Sequence, residues 1–171
     1  MDAETIAKHK FLEDSNMTFQ EVFDFAFKMI IPVLQELSRE LGENHVLEVL
    51  GKVAYESALK AGQAAARQVP CNDFGAYISR TYKPSHFSKH ALTIEVVQDK
   101  PQAFELRITE CLWAKTFREI GAADIGYLLF CNTDFAHCQG FNPRIALLRS
   151  KTLMQGNDCC NHHYEICQVV P

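Results

Sequence analysis

Two cysteines and two histidines lie within five residues near the end of the chain, in the segment that reads QGNDCCNHHYE. Thiolate and imidazole groups suit zinc and iron, and a tetrahedral zinc site needs four donors aimed at one point. On a β-strand, however, alternate side chains point to opposite faces. Cys160 and His162 then share one face, and Cys159 and His163 share the other. This segment alone therefore cannot form a closed four-ligand site.

The inward face of this strand is predicted from its continuation. Cys160 and His162 are followed on the same side by Tyr164 and Ile166, which extend that side as an apolar face. Because the apolar face of a half-buried strand points to the core, we expect Cys160 and His162 to face inward.

Partners for this pair are present in the segment LLFCNTDFAHCQGFNP. On a helix Cys131, Asp134 and Cys138 share a face, because they are three and four residues apart. Together with Cys160 and His162 they could form a composite zinc or iron site. The alternative is that both thiols fill the core and Asp134 bonds a neighbouring backbone group.

Arg149 is a candidate for binding a substrate carboxylate. It shares the predicted strand face of Ile145 and Leu147, so its guanidinium is expected to be at least partly buried. A buried guanidinium needs a carboxylate partner. That partner is either Asp134 or Glu110, or it belongs to a substrate that binds the planar fork of the arginine.

Glu110 and Cys111 lie where a predicted strand ends and a helix begins. A helix N-terminus can lower the pKa of a thiol, and a carboxylate at such a junction can act as a base. The alternative is that Cys111 packs in the core.

The elements that position these residues begin with two helices. Apolar residues recur at steps of three and four along the first one, which predicts a single buried face: Phe19, Val22, Phe23, Ala26, Met29, Ile30, Val33, Leu34, Leu37 and Leu41. Thr18 and Glu21 have the spacing of a capping box, and Pro32 is expected to kink or divide the helix. A second helix follows Gly42, so residues 18–68 are predicted to form a helical hairpin.

The second half of the chain, residues 91–167, alternates with a period of two and predicts strands. Two strands, 91–98 and 103–110, form one antiparallel hairpin, and two more, 144–153 and 159–167, meet across the turn residues QGND. Helices are predicted between the hairpins at 111–120 and 122–138. The fold class is therefore α+β, with an antiparallel sheet of about four strands, and we expect residues 1–171 to form a single domain.

Composition limits the classes of partner. The chain of 171 residues carries a net charge of −4, and nucleic-acid binding relies on clustered basic residues, so we expect no nucleic-acid partner. The first fourteen residues resemble neither a signal peptide nor a membrane span. Seven cysteines in a chain with ample apolar residues favour reduced thiols and a cytoplasmic protein. Apolar side chains on more than one side of the first helix, Phe25 and Phe27 beside Phe23, suggest a homodimer.

The second half of the chain resembles the L-2-amino-thiazoline-4-carboxylic acid hydrolase family. The motifs that carry the likeness are Glu110-Cys111 after a strand, Cys131-x-x-Asp134 in a helix, Phe141-x-Pro143, Arg149-x-x-Thr152-Leu153-x-x-Gly156, and a late cysteine at Cys159 or Cys160. The resemblance implies a hydrolase of a carbon–nitrogen bond in a cyclic amidine such as 2-amino-thiazoline-4-carboxylate, opened to N-carbamoyl-cysteine.

Five side chains suit this chemistry beside Arg149, which would hold the substrate carboxylate. Asp134 or Glu110 would activate a water, and Cys131 or Cys111 would act as a covalent nucleophile if its pKa were lowered. His163 would protonate the departing atom. A metal is not required by this scheme.

A more distant resemblance is to the four-vinyl reductase domain, a ligand-binding α+β module with a similar closing hairpin. It implies a different function, a non-catalytic domain that binds a small molecule or a metal.

Overall fold

The computed structural model describes residues 18–82 and 90–167. Within these ranges the chain is α+β, as expected, with a pair of N-terminal helices and one four-stranded antiparallel sheet. The single-domain prediction also covers residues outside these ranges and stays a prediction. No helix in the described ranges is both long enough and apolar enough to cross a membrane.

The N-terminal pair consists of α1 (Phe19–Leu41) and α2 (Glu43–Ala66), joined at Gly42. The predicted capping box is confirmed, because the Thr18 side chain accepts from the Glu21 backbone N–H while Glu21 accepts from the backbone N–H of Thr18. Pro32 lies inside α1 but does not divide it, contrary to one of the two predicted outcomes. The packing of Ile31 and Leu34 in the core holds the helix on both sides of the proline.

The buried face of α1 differs from the predicted one. Phe23 and Ile31 are buried, and Phe27 and Leu34 pack beside them against an aromatic cluster. Most of the other apolar residues predicted for that face are exposed, including Met29 at 67%. The reason is that apolar residues occupy more than half of the helix circumference, so the period alone cannot show which arc meets the core.

The sheet has the strand order β1-β2-β4-β3. Its strands are, in chain order, β1 (Leu92–Lys100), β2 (Ala103–Cys111), β3 (Ile145–Leu148) and β4 (Cys160–Ile166). The second hairpin lies beside the first because β2 pairs with β4, with Leu106 opposite His162 and Phe104 opposite Tyr164. Leu106 is fully buried, so this register turns His162 to the core.

Strand β3 is shorter than predicted, since 144–153 was expected and only four residues pair. Backbone N–H groups beyond Leu148 are taken by side-chain amides instead of a strand. Asn161 Oδ1 accepts from Ser150 and Lys151 at 3.1 and 2.7 Å, and Asn157 Oδ1 accepts from Thr152 at 3.0 Å. Local side-chain acceptors of this kind compete with a strand ladder. A short 3₁₀-helix, Leu153–Gln155, follows, and Gly156 makes the turn at φ 89°.

Helical segments connect the two hairpins and pack on the sheet. After α3 (Phe74–Tyr82) in the first half come α4 (Leu112–Glu119), α5 (Ala123–Gly126), a π-helix (Tyr127–Cys131) and α6 (Thr133–Phe141). The single helix predicted for 122–138 is thus three helical pieces. The π-helix ends at Cys131, and such widened turns are frequent at functional sites.

Helices α2 and α6 cross in direct backbone contact. A Cβ atom on Gly62 would lie 2.2 Å from the carbonyl oxygen of His137, and one on Gly140 would lie 2.1 Å from that of Leu59. Both distances are far shorter than any van der Waals contact. The crossing therefore requires glycine at both positions.

Replacing Gly62 or Gly140 by alanine should lower the free energy of unfolding by about 2–4 kcal/mol, because neither backbone can retreat from the new methyl group. Denaturant unfolding measures the change. The control is Gly75→Ala on α3, where the new Cβ would meet only the Asp73 side chain at 3.6 Å; there helix propensity should raise stability by up to about 1 kcal/mol. Equal effects of all three substitutions would contradict the backbone contact.

Candidate functional site

Arg149 and Asp134 form an ion pair inside the molecule. The Nη1 atom of Arg149 lies 2.7 Å from Oδ2 of Asp134, and the arginine side chain is only 2% exposed. Sequence reasoning left open whether the partner of Arg149 was an internal carboxylate or a substrate. In the structure the internal carboxylate is Asp134.

The other donors of Arg149 are also engaged. Nη2 donates to the backbone carbonyl of Cys131 at 2.8 Å, at the end of the π-helix, and Nη1 approaches Nε2 of His162 at 3.4 Å. The guanidinium carbon lies 4.8 Å from the centre of the Phe135 ring, in cation–π range. Arg149 therefore ties together the π-helix, α6 and β4.

The contacts of His162 assign its tautomer. Its Nε2 faces an arginine N–H and must accept, so we place the proton on Nδ1, which donates to the hydroxyl of Tyr82 at 3.2 Å. Tyr82 is hydrogen-bonded in turn to the hydroxyl of Tyr164. Burial, and then the charge of Arg149, lower the pKa of His162 to about 3. The imidazole is therefore neutral at physiological pH.

Asp134 is the more exposed member of the pair, because its side chain is 38% exposed while that of Arg149 is nearly covered. Neighbouring protein atoms nevertheless raise the pKa of Asp134 to about 6, against the lowering effect of Arg149.

The thiols near this pair do not have the lowered pKa that a nucleophile needs. Burial raises the pKa of Cys111 to about 11 and that of Cys131 to about 12, the latter with a further contribution from Asp134. The predicted effect of a helix N-terminus on Cys111 is present, since its sulfur accepts from the Ala114 N–H at 3.5 Å, but burial outweighs it. The two candidate nucleophiles are therefore neutral thiols in this conformation.

The alternative metal set of Cys131, Asp134, Cys138, Cys160 and His162 does not gather around one point. Cys138 donates its S–H to the carbonyl of Ile145, and Cys160 accepts from the Leu153 N–H. Among residues 18–82 and 90–167, no group of three or more such side chains is arranged to hold a metal ion. Cys160 and His162 do face inward as predicted, at 5% and 4% exposure.

Glu110 and Cys111 line a cavity of about 530 Å³ between the first hairpin and α4. Thr93 donates its hydroxyl to Glu110, and Lys115 and Arg118 of α4 also line the cavity. Sequence reasoning missed the two cations; their spacing of three residues on a helix that begins after Glu110 was the available signal.

His163 lines a surface pocket together with Phe135 and Arg149. It is on the outer face of β4, where its ring nitrogens are 3.9 Å from Glu105 and 3.5 Å from Glu165. Strand alternation places His163 on the opposite face of β4 from His162, and its predicted role as proton donor to the departing atom stays a prediction.

We expect Arg149→Met to lower the free energy of unfolding by about 3 kcal/mol, since it leaves a carboxylate, a carbonyl and an imidazole without their donor. Combining it with Asp134→Asn should cost less than the sum of the two single changes. The matched control is the exposed pair Lys151 and Asp158, whose removal should leave stability unchanged. Additive effects at Arg149 and Asp134 in chemical denaturation would contradict the coupling.

His162 should make the protein less stable in acid. Its folded pKa of about 3 lies below the unfolded value near 6.5, so its contribution is complete above pH 6.5 and is lost as pH falls toward 3. Asp134, with a raised pKa, acts in the opposite direction. His162→Gln should therefore gain roughly 2–3 kcal/mol relative to the wild type between pH 7 and pH 4. Parallel stability profiles of the two proteins would contradict the assignment.

Comparisons with known proteins add evidence on the fold. The phenol-responsive sensory domain of the transcription activator PoxR, solved with phenol, is similar at 12% identity and a TM-score of 0.51, over 79% of this chain and 71% of that one. A trafficking protein particle complex subunit 3 from Naegleria fowleri, covalently bound to palmitic acid, matches at 10% identity and a TM-score of 0.48, over 84% of this chain and 96% of that one. The second likeness carries no argument, because its TM-score is below 0.5. The first, at 12% identity, concerns the fold alone.

The comparisons in sequence point to one family. No curated protein matches the chain. A family model described as L-2-amino-thiazoline-4-carboxylic acid hydrolase matches residues 19–164, a range that contains both helices of the N-terminal pair, the Glu110 cavity and the Arg149–Asp134 pair. The chain therefore belongs to the L-2-amino-thiazoline-4-carboxylic acid hydrolase family.

Proposed function

We propose that this protein hydrolyses a small cyclic amidine that carries a carboxylate, of the type of 2-amino-thiazoline-4-carboxylate, in the cavity beside Glu110. The observation that carries the proposal is the charge arrangement of that cavity. Glu110, a carboxylate, lines the cavity together with two cations of α4, Lys115 and Arg118. The volume of about 530 Å³ is within the range of small-molecule sites.

The substrate class has the complementary charges. A protonated amidine is a planar cation with parallel N–H groups, which a carboxylate accepts in a forked arrangement, while the substrate carboxylate suits lysine and arginine. Glu110 would thus hold the amidine end and Lys115 and Arg118 the acid end. Arg149, whose donors are engaged by Asp134 and Cys131, is assigned to positioning and not to the substrate.

The chemistry needs a water and a base. Water adds to the carbon of the amidinium and gives one proton to a carboxylate. Collapse of the adduct to the urea carbonyl releases the hydroxyl proton to solvent and breaks the ring carbon–sulfur bond, not a carbon–nitrogen bond, and the departing sulfur takes the first proton back from the carboxylate. The product of 2-amino-thiazoline-4-carboxylate is then N-carbamoyl-cysteine. In this proposal Glu110 takes the proton. The raised pKa values of Cys111 and Cys131 favour activated water over a covalent thiolate.

Asp134 and Arg149 are assigned a supporting role for the Glu110 cavity. Cys111 lines the cavity, and its pKa is raised mainly by burial, with smaller contributions from Cys160 and Asp134, so the buried network lies within electrostatic reach of the cavity floor. We assign Asp134 and Arg149 to holding the π-helix and that floor in place.

The test is turnover of 2-amino-thiazoline-4-carboxylate by the purified protein, with N-carbamoyl-cysteine quantified by mass spectrometry. Glu110→Gln should lower kcat/KM by at least about 100-fold. Lys115→Ala and Arg118→Ala should each raise KM about tenfold with a smaller change in kcat. Lys151→Ala, exposed and paired with Asp158 away from the cavity, is the matched control.

Unchanged turnover in Glu110→Gln would refute the role of the cavity. The Arg118 side chain also donates to the carbonyl of Leu153 at 3.3 Å, so the thermal stability of that variant is measured alongside its kinetics.

A second candidate is a ligand-binding domain without turnover. It is supported by the neutral thiols at the site and by the similarity in fold to the PoxR sensory domain, which was solved with phenol. Calorimetric titration with the same compound separates the two functions, since binding that depends on Lys115 and Arg118 without any product would favour the second.

We also propose a cytoplasmic location. All seven cysteines lie in the described ranges and none of them is in a disulfide, which suits a reducing compartment. Measurement of the thiol content of the protein as purified from cells, before any reductant is added, tests this.

A further inference from the structure

Helix α1 carries a stripe of large apolar side chains that are exposed to solvent. Seven large apolar side chains of this helix are between 42% and 69% exposed: Val22, Phe25, Met29, Ile30, Val33, Leu37 and Leu41. At 100° per residue they fall within an arc of about 160° that runs the whole length of the helix, about 34 Å. We call these seven residues the α1 stripe.

The α1 stripe is distinct from the face that α1 buries. Phe23, Phe27, Ile31 and Leu34 already fill the core side, where Phe27 meets the ring of Phe117 at 5.0 Å. Rotating the helix to bury the stripe would expose this aromatic packing. The stripe therefore needs an occupant other than the core of its own domain.

We propose that the occupant is the α1 stripe of a second copy of this chain. The exposed side chains amount to roughly 700 Å² of apolar surface, taking about 150–200 Å² as the full area of a large side chain. The largest apolar patch of a typical monomer is about 300–600 Å². Two such stripes in contact would bury roughly 1,400 Å², which lies in the range of a specific protein–protein interface.

The charged residues of α1 favour an antiparallel arrangement of the two α1 helices in the dimer. Glu36 and Glu40 lie at the C-terminal end of the same arc, so a parallel pair would set like charges against each other. An antiparallel pair about a two-fold axis separates them and places Glu40 beside the N-terminal end of the other helix, where the helix dipole is positive. Met29 and Val33 then lie at the centre of the interface.

The experiment is multi-angle light scattering of the full chain over a range of concentrations. The expected mass is twice 19.4 kDa. Met29→Lys and Val33→Glu, both at exposed positions, should each raise the dimer dissociation constant at least about 30-fold, the effect of losing one central hot-spot side chain. Lys28→Gln, with a side chain on the same helix that is 52% exposed, paired with Asp24 and outside the stripe, is the matched control.

Circular dichroism of each variant verifies that the fold is retained. A concentration-independent monomer mass for the wild type would overturn the proposal, and so would a dimer that both Met29→Lys and Val33→Glu leave intact. A dimer weakened equally by Lys28→Gln would place the contact elsewhere and also overturn it.

Discussion

The buried ion pair between Arg149 and Asp134 is the interaction on which the middle of the molecule depends. It joins the residue just after β3 to the first turn of α6, and the same arginine closes the π-helix through the carbonyl of Cys131. A charge inside a protein is costly unless it is paired, and here the guanidinium has a carboxylate and a backbone carbonyl as partners. The pair thus links the inserted helices to the sheet, and the charge of Arg149 adds to burial in keeping His162 neutral.

The Arg149–Asp134 pair and the Glu110 cavity are two separate groups of charged residues. The guanidinium of Arg149 is nearly covered and is paired within the protein, although Asp134 keeps partial exposure, whereas the Glu110 cavity is lined by charges of both signs. Cys111 lines that cavity and caps α4 with its sulfur.

The fold could be predicted from periodicity because each hairpin and helix has a strong local signal. The inward direction of Cys160 and His162 could also be predicted, since strand alternation needs only the apolar continuation at Tyr164 and Ile166. The predictions that differ from the structure concerned how deeply a side chain is buried, or contacts with residues distant in sequence. The pKa of Cys111 was expected to fall and instead rises, because its burial is decided by elements that the local sequence does not describe. Likewise, the early end of β3 depends on amide acceptors at Asn157 and Asn161, several residues away.

The contact between Gly62 and Gly140 has a consequence for how the molecule moves. The two backbones touch with no side chains between them, and α6 also contacts β3. The crossing therefore connects the edge strand of the sheet to the N-terminal helical pair by main-chain atoms alone, so a shift of α6 relative to the sheet would have to be accommodated by α2.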